Sequence, residues 1–205
     1  MSNLDKLIKY FEQFPGIGGR QARRFAFHIL TLPDTDTKEL SALIANLQGN
    51  VIECTSCRRF FARSGGTTTE CGICSDGNRD RTKLMVVERD TDITAIERAG
   101  VYDGLYFVLG GTVPLLESKG QNRLRGNGLK VIVTDRLAHG LEEIILGFAV
   151  NPDGENTARF VESLLKDDIA DSSVTIAQLG RGLSTGSELE YADPDTIKNA
   201  FTNRS

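Results

Sequence analysis

The sequence predicts a mixed α/β protein: a helical N-terminal region and a small four-cysteine module precede a domain with a mainly parallel sheet, and a strand and helix close the chain. Three observations carry this. Two amphipathic helical stretches flank the turn Phe14-Pro15-Gly16-Ile17-Gly18-Gly19-Arg20. Every cysteine lies in one of two C-x-x-C pairs, Cys54/Cys57 and Cys71/Cys74. Leu84–Glu88, Ile93–Ala99 and Leu105–Gly111 read as strand, helix and strand, the start of a parallel βαβ unit.

The 205 residues can hold one large or two small domains, and 40% hydrophobic composition suits a soluble globular chain. The N-terminus lacks the basic-then-apolar pattern of a signal peptide, and the apolar run Ile144–Val150 is too short for a bilayer. A cytoplasmic protein with reduced thiols and no membrane partner is the expectation. The net charge of −4 is unevenly spread: residues 1–83 carry 12 Lys/Arg against 9 Asp/Glu, residues 84–205 carry 12 against 19. The basic surface is therefore expected at the front.

Residues 2–13 place Leu4, Leu7, Ile8 and Phe11 on one helical face, with Ser2 or Asn3 as a cap. After the turn, Ala22, Phe25, Ala26, Ile29 and Leu30 form a second stripe. This is the pattern of a helix-hairpin-helix module. Gly16 and Gly18 let the backbone approach a phosphate, the N–H groups opening the second helix point at it, and Arg20, Arg23 and Arg24 add charge. Such contacts ignore base sequence and weaken with salt. The alternative is a glycine turn between helices that pack or dimerise. His28, beside the stripe, receives no role.

Pro33–Thr37 breaks the pattern, and Lys38–Val51 reads as a third helix with Leu40, Leu43, Ile44 and Leu47 on one face. The 13 residues between the C-x-x-C pairs allow a loop to bring four thiolates around Zn²⁺, leaving no ligand position open for chemistry. Disulfides or redox motifs are the alternative, disfavoured in a reducing compartment. Arg58, Arg59, Phe60, Phe61 and Arg63 combine cations with aromatics, a pattern that stacks single-stranded nucleic acid or packs a small metal domain; packing is the expectation for the phenylalanines. Ser64–Thr69 reads as a polar turn and Asp76–Lys83 as a charged linker.

Glu88 ends the first strand, at the carboxyl edge where parallel sheets carry their sites. Residues 118–128 form a basic loop containing Arg123 and Arg125, and Lys130–Ala138 suits a strand through Val131-Ile132-Val133 or a helix through Leu137 and Leu141. Glu143–Val150 reads as a buried strand running into the loop Asn151-Pro152-Asp153-Gly154-Glu155, followed by a helix over Thr157–Lys166 and a strand over Val174–Ala177. A glycine-containing loop, Arg181–Tyr191, leads to a short helix opened by Asp193-Pro194 and ending at Phe201.

Taken in order, these parts resemble the bacterial recombination mediator family RecR along nearly the whole chain. The resemblance lies in Phe14-Pro15-Gly16-Ile17-Gly18 with Arg20 and Arg24, the four cysteines, Val87-Glu88 with Asp92 and Ile96-Glu97, Tyr106–Gly111, Asn151-Pro152, and Arg181-Gly182-Leu183 through Glu188–Asp193. It implies a helix-hairpin-helix DNA-binding and oligomerisation region at 1–52, a four-cysteine zinc finger at 53–81, a Toprim domain at 82–175 and an oligomerisation tail at 176–205. It further implies a homo-oligomer, dimer or tetrameric ring, that clamps gapped, single- or double-stranded DNA. With RecO and RecF such a protein helps load RecA onto DNA coated by single-strand-binding protein. Within residues 118–138 the family has a helix before the Glu143 strand.

Catalytic Toprim enzymes hold Mg²⁺ with a glutamate and a D-x-D motif. Here Glu88 is kept, and the later acids are Asp153-Gly154-Glu155, in a loop shorter than the family's usual acid-rich one. No catalytic residues are expected, and structural Zn²⁺ is the one expected metal. Glu88, Asp153 and Glu155 are candidates for a partner contact or a residual Mg²⁺ site, and the competing reading is a Mg²⁺-dependent Toprim nuclease or primase-like enzyme built on them.

Overall fold

The computed structural model describes residues 1–63, 67–115, 124–180, 190, 192 and 194–202. The expected basic residue Arg123 and most of the Arg181–Tyr191 loop lie outside the described residues. The chain divides into two compact units, 1–51 and 52–205.

The first unit is helical: α1 (Asn3–Glu12), α2 (Gly19–Thr31) and α3 (Asp34–Asn50). Ser2 caps α1 in a capping box with Asp5, the Asp5 N–H donating to Ser2 Oγ at 3.1 Å. Leu4, Leu7, Ile8 and Phe11 form the half-buried face of α1, and Ala22 and Ala26 are fully buried on α2. The Phe11 ring meets Phe14 and Phe25 edge-to-face, with centroids 5.8 and 6.0 Å away. α3 starts four residues earlier than the sequence pattern suggests. Pro33 ends the preceding extended segment at the cap, Asp34 and Asp36 favour the positive end of the helix dipole, and Asp34 pairs with Lys38 at 2.7 Å.

The second unit holds a two-stranded sheet, β1 (Val51–Glu53, at whose start the division falls) with β2 (Phe60–Ala62), and a four-stranded sheet. The latter is formed by β3 (Asp80–Val87), β4 (Gly104–Val108), β5 (Glu143–Gly147) and β6 (Thr175–Gln178), in the order β4-β3-β5-β6 and parallel throughout. Helices α4 (Asp90–Ala99), α5 (Gly126–Leu137) and α6 (Pro152–Ile169) connect the strands, and α7 (Pro194–Thr202) follows. The second half of β3, Leu84–Val87, is an unbroken buried apolar run because both its faces are covered. Leu84 and Val86 join Phe107, Leu129, Val133, Ile144, Val161 and Leu165 on the α5/α6 side, while Met85 and Val87 join Tyr106, Val108 and Ile93 on the α4 side.

Three local readings change, and one left open between strand and helix is decided. The segment read as a linker to Lys83 is already strand from Asp80, because β4 and β5 recruit its backbone. β5 stops at Gly147 rather than Val150, since its ladder with β3 ends at Gly147 and that with β6 at Leu146. The segment 126–137 is helix, as the family resemblance implied and against the local strand signal of Val131-Ile132-Val133: Leu129 and Val133, one turn apart, are buried, and Val131 is 66% exposed. Finally, Asn151–Glu155 is no loop but the start of α6. Asn151 is the N-cap, its Oδ1 accepting the Gly154 N–H at 2.8 Å, Pro152 is the first helical residue, and Asp153 and Glu155 lie in the first turn.

Candidate nucleic-acid interface and metal centre

The turn between α1 and α2 is built around Gly16. The Ile17 N–H donates to Phe14 O at 3.0 Å, closing a turn with Pro15 and Gly16 at its centre, and Gly16 has φ +75°, a left-handed conformation in which a side chain is strained. The chain then enters α2 with Gly18 at the N-cap, where no side chain caps the helix and the first turn carries no acid. The leading N–H groups of α2 are thus left for an outside acceptor. A Cβ built at Gly18 meets nothing within 4 Å, whereas one at Gly19 lies 3.0 Å from Glu12 Oε1, so the approach is open at Gly18 and bounded by that carboxylate at Gly19. Arg20, Arg23 and Arg24 are exposed around this helix start. Among the described residues no carboxylate lies within ion-pair range of them, and Arg24 Nη1 donates only to Gln21 Oε1, at 3.4 Å. An uncapped helix start with open approach and unpaired guanidinium groups is the chemistry of a phosphate-binding edge.

The four cysteines are buried, unpaired and gathered, all Sγ atoms lying within 4.8 Å of one another. Cys57 Sγ and Cys71 Sγ are 3.6 Å apart, close to the edge of about 3.8 Å in a tetrahedron of metal–sulfur bonds. The Cys71 N–H donates to Cys54 Sγ at 3.3 Å, the type of backbone donor that steadies a thiolate ligand. The donor set fits a closed tetrahedral metal centre.

This module is docked on the large sheet. The Val108 N–H of edge strand β4 donates to Cys57 O at 2.8 Å, and the Phe60 N–H donates to Asp90 Oδ1 at 2.6 Å. Arg125 donates to Val108 O and to Glu53 Oε2, both at 3.2 Å. Where the chain leaves the module, Arg79 forms a two-pronged ion pair with Glu97, which also accepts the Tyr106 O–H at 2.6 Å. The Arg79 hydrogen bonds hold the Glu97 carboxyl below its usual range, and burial pushes the Tyr106 phenol up. Only one of the two neighbouring phenylalanines packs: Phe61 lies against the cysteines, whereas Phe60 is 53% exposed. β2 alternates outward and inward, so just one of them can face the metal site.

The Toprim-type acids stand at the carboxyl side of the sheet with separate partners. Glu88, largely buried, pairs with Arg89 at 2.6 Å. Asp153 Oδ1 accepts the Leu115 N–H at 3.0 Å and, with Thr157 accepting the Val113 N–H at 2.8 Å, ties the loop after β4 to α6. Glu155 lines a cleft of about 280 Å³ between the ends of β5 and β6 and the start of α6. Among the described residues the four cysteines form the one group of three or more metal-ligating side chains within reach of a common ion; Glu88, Asp153 and Glu155 do not come together. The sequence carries no signal for the roles of Glu97 and Arg125, whose partners are distant in the chain.

Comparison with known proteins gives three family matches: a model described as RecR, helix-hairpin-helix over residues 4–47, a Toprim domain over 82–176, and RecR, C-terminal over 182–205. Among curated proteins, the chain is 37% identical over 202 residues to the recombination protein RecR of Moorella thermoacetica, covering 98% of this chain and 95% of that protein. It is 34% identical over 204 residues to the RecR of Lactobacillus helveticus (97% and 94% covered) and 33% over 202 residues to that of Chlorobium chlorochromatii (98% and 96%).

Proposed function

The chain belongs to the RecR family of recombination proteins, and from that premise we propose that it is a non-catalytic DNA-binding mediator of recombinational repair. In this reading it is an oligomeric clamp on gapped or junction DNA that works with RecO and RecF to load RecA. One observation carries the DNA contact: α2 begins at Gly18 with uncapped N–H groups, open space and three exposed arginines that no carboxylate neutralises among the described residues. Arg20 and Arg24 bind phosphate, Arg23 assists, and Gly16 and Gly18 shape the approach. Cys54, Cys57, Cys71 and Cys74 hold Zn²⁺, which suits a buried set of four thiolates and supplies structural cross-linking rather than chemistry. The exposed face of α3, with Leu43, Ile44 and Leu47 each about 60% exposed, supports an oligomeric contact in region 1–52. That the acids do not converge, with Asp153 engaged in holding a loop, supports a binding role over Mg²⁺-dependent catalysis.

The test is direct binding of labelled gapped duplex over a salt series. Arg20→Ala with Arg24→Ala should lower affinity and flatten the plot of log affinity against log salt by about two contacts' worth, roughly 1.8 in slope. Unchanged affinity and slope in the double variant would remove the hairpin from the interface.

A further inference from the structure

We infer that Phe60 is a stacking platform for an unpaired base of single-stranded DNA. The inference rests on the reading of the chain as a DNA-binding protein and adds a second, chemically different contact. The Phe60 ring is 53% exposed, while its neighbour Phe61 fills the space against the cysteines. The ring is not loose. Its backbone N–H is bonded to Asp90 Oδ1 at 2.6 Å, and the Arg125 guanidinium lies 5.8 Å from its centroid, itself fixed by Val108 O and Glu53 Oε2.

The surroundings select the partner. A protein interface calls for a broad apolar area, whereas the side chains recorded around Phe60 among the described residues are the charged Arg58, Asp90 and Arg125. Arg58 and Arg125 share the single carboxylate of Glu53, at 3.5 and 3.2 Å, and Asp90 is turned to the Phe60 amide, so the nearby acids are engaged. Arg63, on the same short segment, is exposed with no carboxylate in ion-pair range among the described residues. A cation bound to one face of an aromatic ring, with the ring's remaining surface open to solvent, is a ready surface for base stacking, because every nucleobase has a π-face. Duplex DNA hides those faces. The ring therefore distinguishes single-stranded from paired DNA without reading sequence, and through stacking rather than charge.

The experiment measures binding of a labelled oligothymidylate and a labelled blunt duplex to the full chain, as wild type, Phe60→Ala and Phe60→Trp, over a salt series, with zinc content and oligomeric mass recorded for each. Phe60→Ala should lose about 5- to 100-fold in affinity for the oligothymidylate, with salt slope and duplex binding unchanged. Phe60→Trp should restore binding, with its indole fluorescence quenched by the oligonucleotide. Equal oligothymidylate affinity in wild type and Phe60→Ala overturns the inference, as does an equal loss for duplex, or a change in oligomeric mass with oligothymidylate binding intact. A wild type that binds duplex but not oligothymidylate overturns this inference and leaves the proposed function standing; one that binds neither removes both.

Discussion

Gly18 and Gly16 play different parts in one turn. Gly16 is required by the backbone, its φ of +75° costing any L-side chain roughly 1–2 kcal/mol. Gly18 has an ordinary φ of −85° and open space around it, so the folded chain itself does not demand glycine there. That separates binding from stability. Gly18→Asp supplies a side-chain cap to α2 and a negative charge at its positive end, and should hold or raise stability by up to about 1 kcal/mol. On the proposed interface the same carboxylate occupies and repels the phosphate position, so duplex affinity should fall at least tenfold. Thermal unfolding and duplex titration of one variant check both, and a variant that binds normally would place the phosphate elsewhere. The sequence points to Gly16 and Gly18 equally; only the backbone geometry tells them apart. Phe60 and Phe61 are similar, indistinguishable by composition and sorted by the alternation of β2.

At the level of elements, the metal module closes the edge of the large sheet through the Val108 N–H bond to Cys57 O. Zinc bound by four thiolates stabilises such a module by several kcal/mol, on the order of 10 where the module folds only with metal. Cys71→Ser should therefore lower zinc content and melting temperature. Hydrogen exchange should speed up over residues 52–81 and at the Val108 amide, while amides in the centre of β3 stay protected. A variant with full zinc and unchanged exchange would contradict the structural site. The four cysteines and the parallel βαβ unit were legible because spacing and apolar runs are local signals. The start of α6 is legible too, since Asn151-Pro152 followed by acids at 153 and 155 is a helix-start signature that outweighs the loop reading. Gly154 adds what sequence does not show: a Cβ there would lie 1.9 Å from Ala149 O, so the glycine is set by the tight entry into α6. The helix at Gly126–Leu137 is legible from the family resemblance and not from its own residues, local β-propensity being overruled by burial of Leu129 and Val133 against the sheet and α6.

For the molecule as a whole, the uneven charge predicts which end meets DNA: 12 basic against 9 acidic residues before Leu84, and 12 against 19 from there on. The helix-hairpin-helix region lies in the basic part, and the sheet that gives the chain its Toprim-type domain lies in the acidic part. A mediator uses that sheet as scaffold and partner surface; an enzyme uses it as an active site. The measurement that separates these most directly is recovery and sizing of gapped duplex after binding in Mg²⁺, for the wild type and for Glu88→Ala. The mediator account predicts salt-sensitive binding and intact DNA in both. DNA shortened by the wild type and left whole by Glu88→Ala would contradict it, because the carboxyl edge of the sheet would then be carrying out metal-assisted cleavage.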